Sequence, residues 1–400
     1  MRKNLVSIAM LLACSLLLAA CGRQPITPTP TPAATPTGSA RTDEYLRIFE
    51  TVWQTYIKER GSKSLVDSNA GQPQPPRIEE ISFRSGSFHV VGDLRLPEGT
   101  GPFPVVLFVH GSGPVDRISG GNYLPVMERM ARAGYATFSW DKPGTGESTG
   151  QLDPSRVQRQ RAQVVLDAIK VMKARPDIDP RQIGLAGISQ AGYVMPRVLS
   201  TSKDVAFMIC VSCAGHSGVD QSTFQAVAQA ICAGVQEEKA DQLTVLLAEL
   251  DTARTYERYD EYVHYREVLD ALVGIASYAP RGRGFEVVPQ EAWQLKDPEL
   301  ESWWNPIEVI EQTTIPVLAF FGDKDTQIDP IQGAHAYREA LERAGNPNSR
   351  VELIPGANHG MTLAETGCLD EPGLRNESGG RAIAPGFLDT IEVWLRDLHR

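Results

Sequence analysis

One short stretch constrains the fold of this chain more than any other: a serine that lies between a predicted strand and a predicted helix. Residues 183–186 form an apolar run, which predicts a buried strand, and helical sequence begins near Gln190. Ser189 lies between them, within Gly187-Ile-Ser-Gln-Ala-Gly192. Small residues around the serine allow a sharp turn and let neighbouring chain pass close. Ser189 is therefore a candidate nucleophile, exposed on a tight strand-to-helix turn.

The motif departs in one position from the pattern G-x-S-x-G, because Ala191 stands where the last glycine is expected and Gly192 follows it. Alanine is small enough for such a turn. An accidental serine between a strand and a helix is the alternative interpretation. The nucleophile interpretation therefore requires the rest of the chain to supply a base, an acid and an oxyanion hole.

Strands and helices alternate on both sides of this turn. A hairpin is predicted over residues 78–96, and apolar runs at 104–109, 135–140 and 205–212 predict strands, with amphipathic helices between them at 123–134 and 154–174. This alternation predicts an α/β fold with a doubly wound, mostly parallel sheet.

The alternation stops near Ala214 and resumes near Thr314. Residues 224–276 have a mostly helical pattern. We interpret residues 216–308 as a helical lid inserted between two strands, which selects the substrate and excludes water. An unrelated second domain is the alternative.

Two later loops offer the base and the acid that a serine nucleophile needs. Gly322-Asp-Lys-Asp325 follows a predicted strand at 317–321, and Asn358-His359-Gly360 follows another at 351–354. The carboxyl ends of parallel strands are where such sheets place their sites. Asp323 and Asp329 are the alternatives to Asp325 as the acid.

Taken together, the motifs resemble the α/β-hydrolase superfamily, in its dienelactone-hydrolase, prolyl-oligopeptidase-like and serine-aminopeptidase branch. The resemblance extends from about residue 78 to the C terminus and is weakest in the insertion. The matching motifs are His110-Gly-Ser-Gly-Pro-Val-Asp-Arg117, Asp141-Lys-Pro-Gly-Thr-Gly-Glu-Ser148, Gly187-Ile-Ser-Gln-Ala-Gly192, Gly322-Asp-Lys-Asp325 and Asn358-His-Gly360.

The resemblance implies that Ser189 is the nucleophile, Asp325 the acid and His359 the base. Trp303 and Trp304, near the end of the insertion, are candidates either for lining the underside of the lid or for packing. If they line it, their substitution is expected to change the preferred acyl chain length.

The same resemblance implies an oxyanion hole built from backbone N–H groups. One donor is Gln190, and the second is Gly111 or Ser112. Each donor contributes roughly 3 kcal/mol to transition-state stabilisation. His110 is expected to be structural, because the base and the acid are already assigned, and residues 141–148 are expected to form a structural turn.

The N terminus has the pattern of a bacterial lipoprotein signal. Arg2 and Lys3 precede an apolar run that is short for a membrane span. The run ends in Leu18-Ala-Ala-Cys21, which resembles a lipobox whose cysteine carries the lipid. Ordinary signal cleavage next to an incidental cysteine is the alternative.

The predicted parts of the chain are a signal (1–21), a Pro/Thr-rich linker (22–41), an accessory helix and loop (42–75), a first core part (76–215), the lid (216–308) and a second core part (309–400).

Composition and charge exclude several partners. The formal net charge of −10 argues against nucleic acid and anionic membrane surfaces. No Cys/His cluster has zinc spacing, and we expect neither a metal nor an organic cofactor. Outside the cytoplasm the cysteines of the mature core could pair in ways that the sequence does not fix; they are Cys210, Cys213, Cys232 and Cys368.

The sequence thus predicts a serine hydrolase of the bacterial cell envelope, held at a membrane by its N-terminal lipid and acting on small carboxylic esters through an acyl-enzyme. A serine peptidase or aminopeptidase acting on short peptides is the second hypothesis. A surface-binding module on a hydrolase scaffold is the third, and the ordered triad counts against it. The oligomeric state is left open.

Overall fold

The computed structural model describes residues 77–153, 156–255, 258–273, 304–371, 374–376 and 381–398. The predicted signal, linker and accessory helix, with Cys21, lie outside the described residues, as does Trp303. Their assignments stay predictions.

The described strands form one eight-stranded sheet. In chain order they are β1 (Arg77–Ser85), β2 (Phe88–Leu96), β3 (Phe103–Val109), β4 (Ala136–Trp140), β5 (Ile178–Ile188), β6 (Phe207–Val211), β7 (Val317–Gly322) and β8 (Arg350–Ile354). Their order across the sheet is β1-β2-β4-β3-β5-β6-β7-β8. The β1–β2 and β2–β4 pairs are antiparallel and every other pair is parallel. The predicted hairpin and the predicted mostly parallel sheet are both confirmed.

Helices flank the sheet. The described helices are α1 (Leu124–Arg132), α2 (Val157–Lys173), α3 (Ala191–Thr201), α4 (Gly218–Cys232), α5 (Ala240–Thr255), α6 (Tyr259–Val273), α7 (Ile307–Ile310), α8 (Pro330–Arg343) and α9 (Phe387–Leu398). In the part of the chain that the structure describes, no helix has the length and hydropathy needed to span a bilayer.

The central strands explain why this sheet is buried between helices. Every residue of β7 is buried, and β3 is buried from Pro104 onward. A parallel strand covered on both faces has this uninterrupted apolar pattern, whereas a half-exposed strand alternates. Burial of each large apolar side chain contributes about 1.5–3 kcal/mol, so these strands form the main core.

Helices α4, α5 and α6 occupy the predicted insertion between β6 and β7. They have an apolar cluster of their own, formed by Ala230, Leu243, Leu247 and Leu269. A disulfide between Cys232 at the end of α4 and Cys368 joins this insertion to the loops after β8.

A second disulfide, between Cys210 and Cys213, closes the end of β6. The sequence had left these pairings open.

Candidate active site

Ser189 lies on the turn between β5 and α3, at the carboxyl edge of the sheet. Its backbone φ is +59°, a left-handed conformation that residues other than glycine seldom adopt. The Ser189 N–H donates to the Val211 carbonyl of β6 at 3.0 Å, and the Ser189 carbonyl accepts from the Gly192 N–H at 2.9 Å. These bonds hold the serine in a strained turn, as a nucleophile requires.

The glycines around the turn are required by close contacts. A Cβ on Gly187 would lie 2.5 Å from Ala191 Cβ, and a Cβ on Gly192 would lie 2.7 Å from Cys213 Cβ. Neither position can therefore accept a side chain. This explains the departure from G-x-S-x-G: position 191 has room for a methyl group, and the second glycine is needed one residue later, against Cys213.

The structure brings together the predicted acid and base. His359 Nδ1 lies 2.8 Å from Asp325 Oδ2, and the Asp325 side chain is only 1% exposed. Asp325 Oδ1 accepts from the backbone N–H groups of Gln327 at 2.8 Å and Ile328 at 2.9 Å. A carboxylate at Nδ1 favours the tautomer with a proton there, which leaves His359 Nε2 free to accept one.

The two alternative aspartates have other partners. Asp329 is the N-cap of α8, where its Oδ1 accepts from the N–H groups of Ile331 and Gln332. Asp323 Oδ1 accepts from the Gly356 N–H at 2.7 Å. Among the described residues, therefore, Asp325 is the aspartate that is paired with His359.

Ser189 and His359 follow β5 and β8 at the same edge of the sheet. The hydrogen bonds of the described residues pair His359 with Asp325 and include none between His359 and Ser189 Oγ. In active sites of this kind the base–nucleophile contact often tightens only when substrate binds. The geometry thus supports the acid–base pair by contact and the serine by its position.

The predicted oxyanion-hole residues surround the serine. A Cβ on Gly111 would lie 3.4 Å from Ser189 Cβ, so the loop after β3 touches the nucleophile turn. Ser112 is the next residue on that loop. Gln190 is the N-cap of α3, where backbone N–H groups lack an acceptor within the helix and the helix dipole favours negative charge.

Two buried basic side chains, Lys142 and Arg161, lie behind the oxyanion loop, and neither was predicted. Lys142 Nζ donates to the carbonyls of Gly111 and Gly113, each at 2.6 Å. Arg161 donates to the His110 carbonyl and, at 2.5 Å, to Gln190 Oε1. Burial, with the nearby Arg161 charge, lowers the pKa of Lys142 to about 6.

The sequence signals for Lys142 and Arg161 are indirect. Lys142 belongs to the motif at 141–148, and Arg161 lies on the predicted helix at 154–174. In the structure, Asp141 of that motif accepts from the Arg117 guanidinium and the Glu147 N–H, as expected of a structural turn.

His110 is buried behind the same loop. Its Nε2–H donates to the Trp140 carbonyl at 2.5 Å, and its Nδ1 accepts from the Tyr123 hydroxyl at 3.0 Å. Burial lowers the pKa of His110 to about 3, so the ring is neutral at neutral pH. These contacts agree with the structural role expected from the sequence.

A cavity of about 620 Å³ adjoins the candidate triad. Its wall includes Ile188, next to Ser189, and Gly360, next to His359. Trp304, a predicted substrate-binding residue, is not part of this wall. Instead its ring lies 4.0 Å from the Arg197 guanidinium carbon, and it packs in a cluster with Tyr193, Ala214 and Ile328. The described residues contain no group of three or more His, Cys, Asp or Glu side chains that could hold a metal ion.

Comparison with known proteins identifies the family of this chain. The family model described as "Alpha/beta hydrolase family" matches residues 106–369. Esterase EstD of Thermotoga maritima is 24% identical over 305 residues, which cover 73% of this chain and 63% of that protein. This chain thus spans less than two thirds of that relative's length.

Two solved structures have a similar fold. The Pyrococcus furiosus esterase Pf2001 is 16% identical, with a TM-score of 0.44 and coverage of 73% of this chain and 87% of that one. Est1E from Butyrivibrio proteoclasticus, solved with ferulic acid, is 14% identical, with a TM-score of 0.46 and coverage of 80% and 97%. Because the family model matches more than half of the chain, the protein belongs to the alpha/beta hydrolase family.

Proposed function

We propose that this protein is a serine hydrolase that cleaves carboxylic esters through an acyl-enzyme at Ser189. The observation that carries the proposal is the 2.8 Å contact between His359 and buried Asp325, at the same sheet edge as the strained Ser189 turn. Membership of the alpha/beta hydrolase family supports hydrolysis. Similarity to a relative named as an esterase supports an ester substrate.

In the proposed reaction, His359 Nε2 takes the proton of Ser189 Oγ as the oxygen attacks the ester carbonyl carbon. The resulting oxyanion accepts from the Gln190 N–H and from the N–H of Gly111 or Ser112. Collapse of the tetrahedral intermediate breaks the bond to the alcohol oxygen, which receives the proton from His359. Water, deprotonated by His359, then attacks the acyl-enzyme and releases the acid and free Ser189.

The test uses Ser189→Ala with Ser200→Ala as a matched control, because Ser200 lies exposed on helix α3 and bonds only within that helix. We expect Ser189→Ala to lose fluorophosphonate labelling and about 10⁴- to 10⁶-fold in the rate of p-nitrophenyl ester hydrolysis. Ser200→Ala should keep both the wild-type labelling and the wild-type rate of hydrolysis. Equal labelling of wild type and Ser189→Ala would show that Ser189 is not the nucleophile. A preference for aminoacyl-p-nitroanilides over esters would favour the peptidase alternative.

We also propose that the protein is a lipoprotein of the bacterial cell envelope, anchored through Cys21. Support comes from Leu18-Ala-Ala-Cys21 and the Pro/Thr-rich run that follows it. Cys21→Ser should release the protein from membranes, whereas Cys14→Ser, inside the signal, should not. Mass spectrometry of the wild-type N terminus provides the direct check, and an unmodified Cys21 there would refute the proposal.

A further inference from the structure

Among the described residues, those that line the cavity beside the candidate triad belong to the core. We call it the α1–α9 cavity, because its side walls are Val126 and Met130 of α1 and Phe387 and Ile391 of α9. Its remaining wall comes from strand ends and from the loops on either side of the triad. No described residue of the predicted lid segment lines it.

The lining determines which chemistry fits the α1–α9 cavity. Met130 and Ile391 are fully buried and make its depth apolar. Among the described lining residues none is Asp or Glu, and the charged one is Arg381. A cationic group would enter an apolar site without a counter-ion, at a high desolvation cost. For an uncharged hydrocarbon group, the free energy of binding becomes more favourable with each methylene that is removed from water.

We propose that the α1–α9 cavity receives the acyl chain of the substrate, and that this chain is an uncharged, apolar acyl group much longer than acetyl. The inference rests on the proposed esterase function. The acyl group stays attached through both half-reactions, whereas the alcohol must leave to water before the second. An apolar cavity next to Ser189 therefore suits the acyl side. Its volume of about 620 Å³ is far more than an acetyl group fills.

The experiment measures kcat/KM for p-nitrophenyl esters from acetate to dodecanoate. For wild type, kcat/KM should rise roughly fourfold for each added methylene until the cavity is full. Val126→Trp places an indole in the cavity from a half-buried position and should lower the octanoate-to-acetate ratio at least tenfold. Leu124→Trp is the matched control: Leu124 is on the same helix, 40% exposed and outside the cavity wall, so the ratio should not change.

Two further measurements separate this inference from the proposed function. Calorimetric binding of decanoate needs no catalysis, and it should be at least tenfold weaker in Val126→Trp than in wild type or Leu124→Trp. A series of esters with acetyl fixed and the alcohol lengthened should give a flat profile. Unchanged decanoate binding in Val126→Trp, or a profile that follows the alcohol and not the acyl chain, would overturn the inference even where Ser189 is labelled.

A second inference has an independent basis in Lys142 and Arg161, the buried basic side chains behind the oxyanion loop. In a trans peptide the carbonyl and the following N–H point in opposite directions. The His110 carbonyl accepts from Arg161, and the Gly111 carbonyl accepts from Lys142. Each bond therefore fixes the plane of a peptide whose N–H belongs to Gly111 or Ser112, the candidate donors.

The structure assigns Lys142 and Arg161 as positioning residues of the oxyanion hole. Arg161 also donates to Gln190 Oε1 at 2.5 Å, and so it links the loop after β3 to the residue whose N–H is the other donor. Burial of two basic side chains side by side is costly, and their hydrogen bonds to backbone carbonyls and to Gln190 offset part of that cost. The result is a preorganised pair of donors, which contributes most when charge develops on the substrate oxygen.

Lys142→Met tests this assignment, with Lys170→Met on exposed α2 surface as the control. We expect Lys142→Met to lower kcat ten- to a hundredfold and to slow fluorophosphonate inactivation in parallel, while KM and decanoate affinity stay within about twofold. A purely structural role would change binding and kcat together. Arg161→Lys keeps a donor for the His110 carbonyl, so its kcat should fall less than that of Arg161→Met. Equal losses of kcat in these two variants, or an unchanged kcat in Lys142→Met, would overturn the assignment.

Discussion

Asp325 differs from its neighbours in how its two carboxylate oxygens are used. Oδ1 is held by two backbone N–H groups of its own loop, so Oδ2 is aimed at His359. The carboxylates of Asp323 and Asp329 accept backbone N–H groups that stabilise a loop and a helix end. Orientation by the loop, rather than proximity in sequence, determines that Asp325 is the aspartate paired with His359.

We therefore expect Asp325→Asn to lower kcat by roughly 10⁴-fold, because an amide at this position favours the wrong His359 tautomer. Asp329→Asn should keep near-normal kcat, since asparagine is also a good N-cap, and Asp329→Ala should lower the free energy of unfolding by about 1 kcal/mol. Steady-state kinetics and urea denaturation of the three variants check this. A larger kcat loss at Asp329 than at Asp325 would show that the acid is misassigned.

His110 gives a prediction for acid stability. Its pKa is lowered to about 3 by burial, below the value of about 6.5 for an unfolded histidine. Between these pH values His110 is protonated in the unfolded chain but not in the folded one. The stability of the folded state that is fully present above pH 6.5 is therefore lost as the pH falls toward 3. The His110 contribution to the loss between pH 6.5 and 4.5 is on the order of 2–3 kcal/mol.

Urea denaturation of His110→Gln at pH 7 and pH 4.5 measures this contribution. The variant should be less stable at pH 7, because it loses the bond network to Trp140 and Tyr123, yet it should lose less stability on acidification. His335→Gln, at a side chain that is 70% exposed, is the control and should keep the wild-type pH dependence. The same acid loss in His110→Gln as in wild type would contradict the prediction.

At the residue scale, the sequence was informative where a role imposes an order along the chain. Ser189, Asp325 and His359 were predicted because each follows a predicted strand, in the order that the resemblance implies. Lys142 and Arg161 were missed because their partners are mainly backbone carbonyls, 31 residues away for Lys142–Gly111 and 51 for Arg161–His110. A carbonyl is present at every residue and leaves no pattern in the sequence.

At the scale of elements, the disulfide between Cys232 and Cys368 ties helix α4 to the loops that follow His359. It closes a loop with a sequence separation of 136 residues. In the chain-entropy account, closure of so long a loop destabilises the unfolded chain, and removal of such a native disulfide costs about 2–5 kcal/mol. The insertion and the loops after the candidate base are thus stabilised together.

We expect the double variant Cys232→Ser, Cys368→Ser to lose about 3–5 kcal/mol of unfolding free energy in non-reducing conditions. The double variant Cys210→Ser, Cys213→Ser is the comparison, because its disulfide closes a separation of only three residues; its loop-closure loss should be nearer 2 kcal/mol. Urea denaturation measures both. A loss below about 1 kcal/mol in the first variant would contradict the loop-entropy account.

Element types were more predictable than their ends and links. The apolar runs predicted every parallel strand, yet β5 begins at Ile178 rather than near 183, because its first residue pairs with Phe103 across a register shift. Residues 224–276 were predicted to be mostly helical, and their described part lies in helices α4, α5 and α6, with a first break at Gly234, where φ is +94°. Strand extension and cysteine pairing depend on partners that are distant in sequence, which periodicity cannot report.

For the whole molecule, the α1–α9 cavity and Trp304 have different neighbours among the described residues. The α1–α9 cavity lies among α1, α9 and the strand ends, whereas Trp304, at the end of the insertion, packs against Tyr193 of α3 and lies over Arg197. The sequence alone suggested that the insertion selects the acyl chain. With the acyl chain proposed for the cavity, the insertion is left to act on the alcohol side.

We therefore expect Trp304→Ala to change the dependence of kcat/KM on alcohol length and to leave the dependence on acyl length as in wild type. Val126→Trp should do the reverse. The double variant should show the sum of the two effects in RT ln(kcat/KM), within about 0.5 kcal/mol, because Val126 lines the α1–α9 cavity and Trp304 packs in a separate cluster. Kinetics on a matrix of acyl and alcohol lengths for the four proteins measures each effect and their coupling. A change in the dependence on acyl length in Trp304→Ala would show that the insertion selects the acyl chain. Strong coupling between the effects of the two substitutions would mean that one pocket spans both regions.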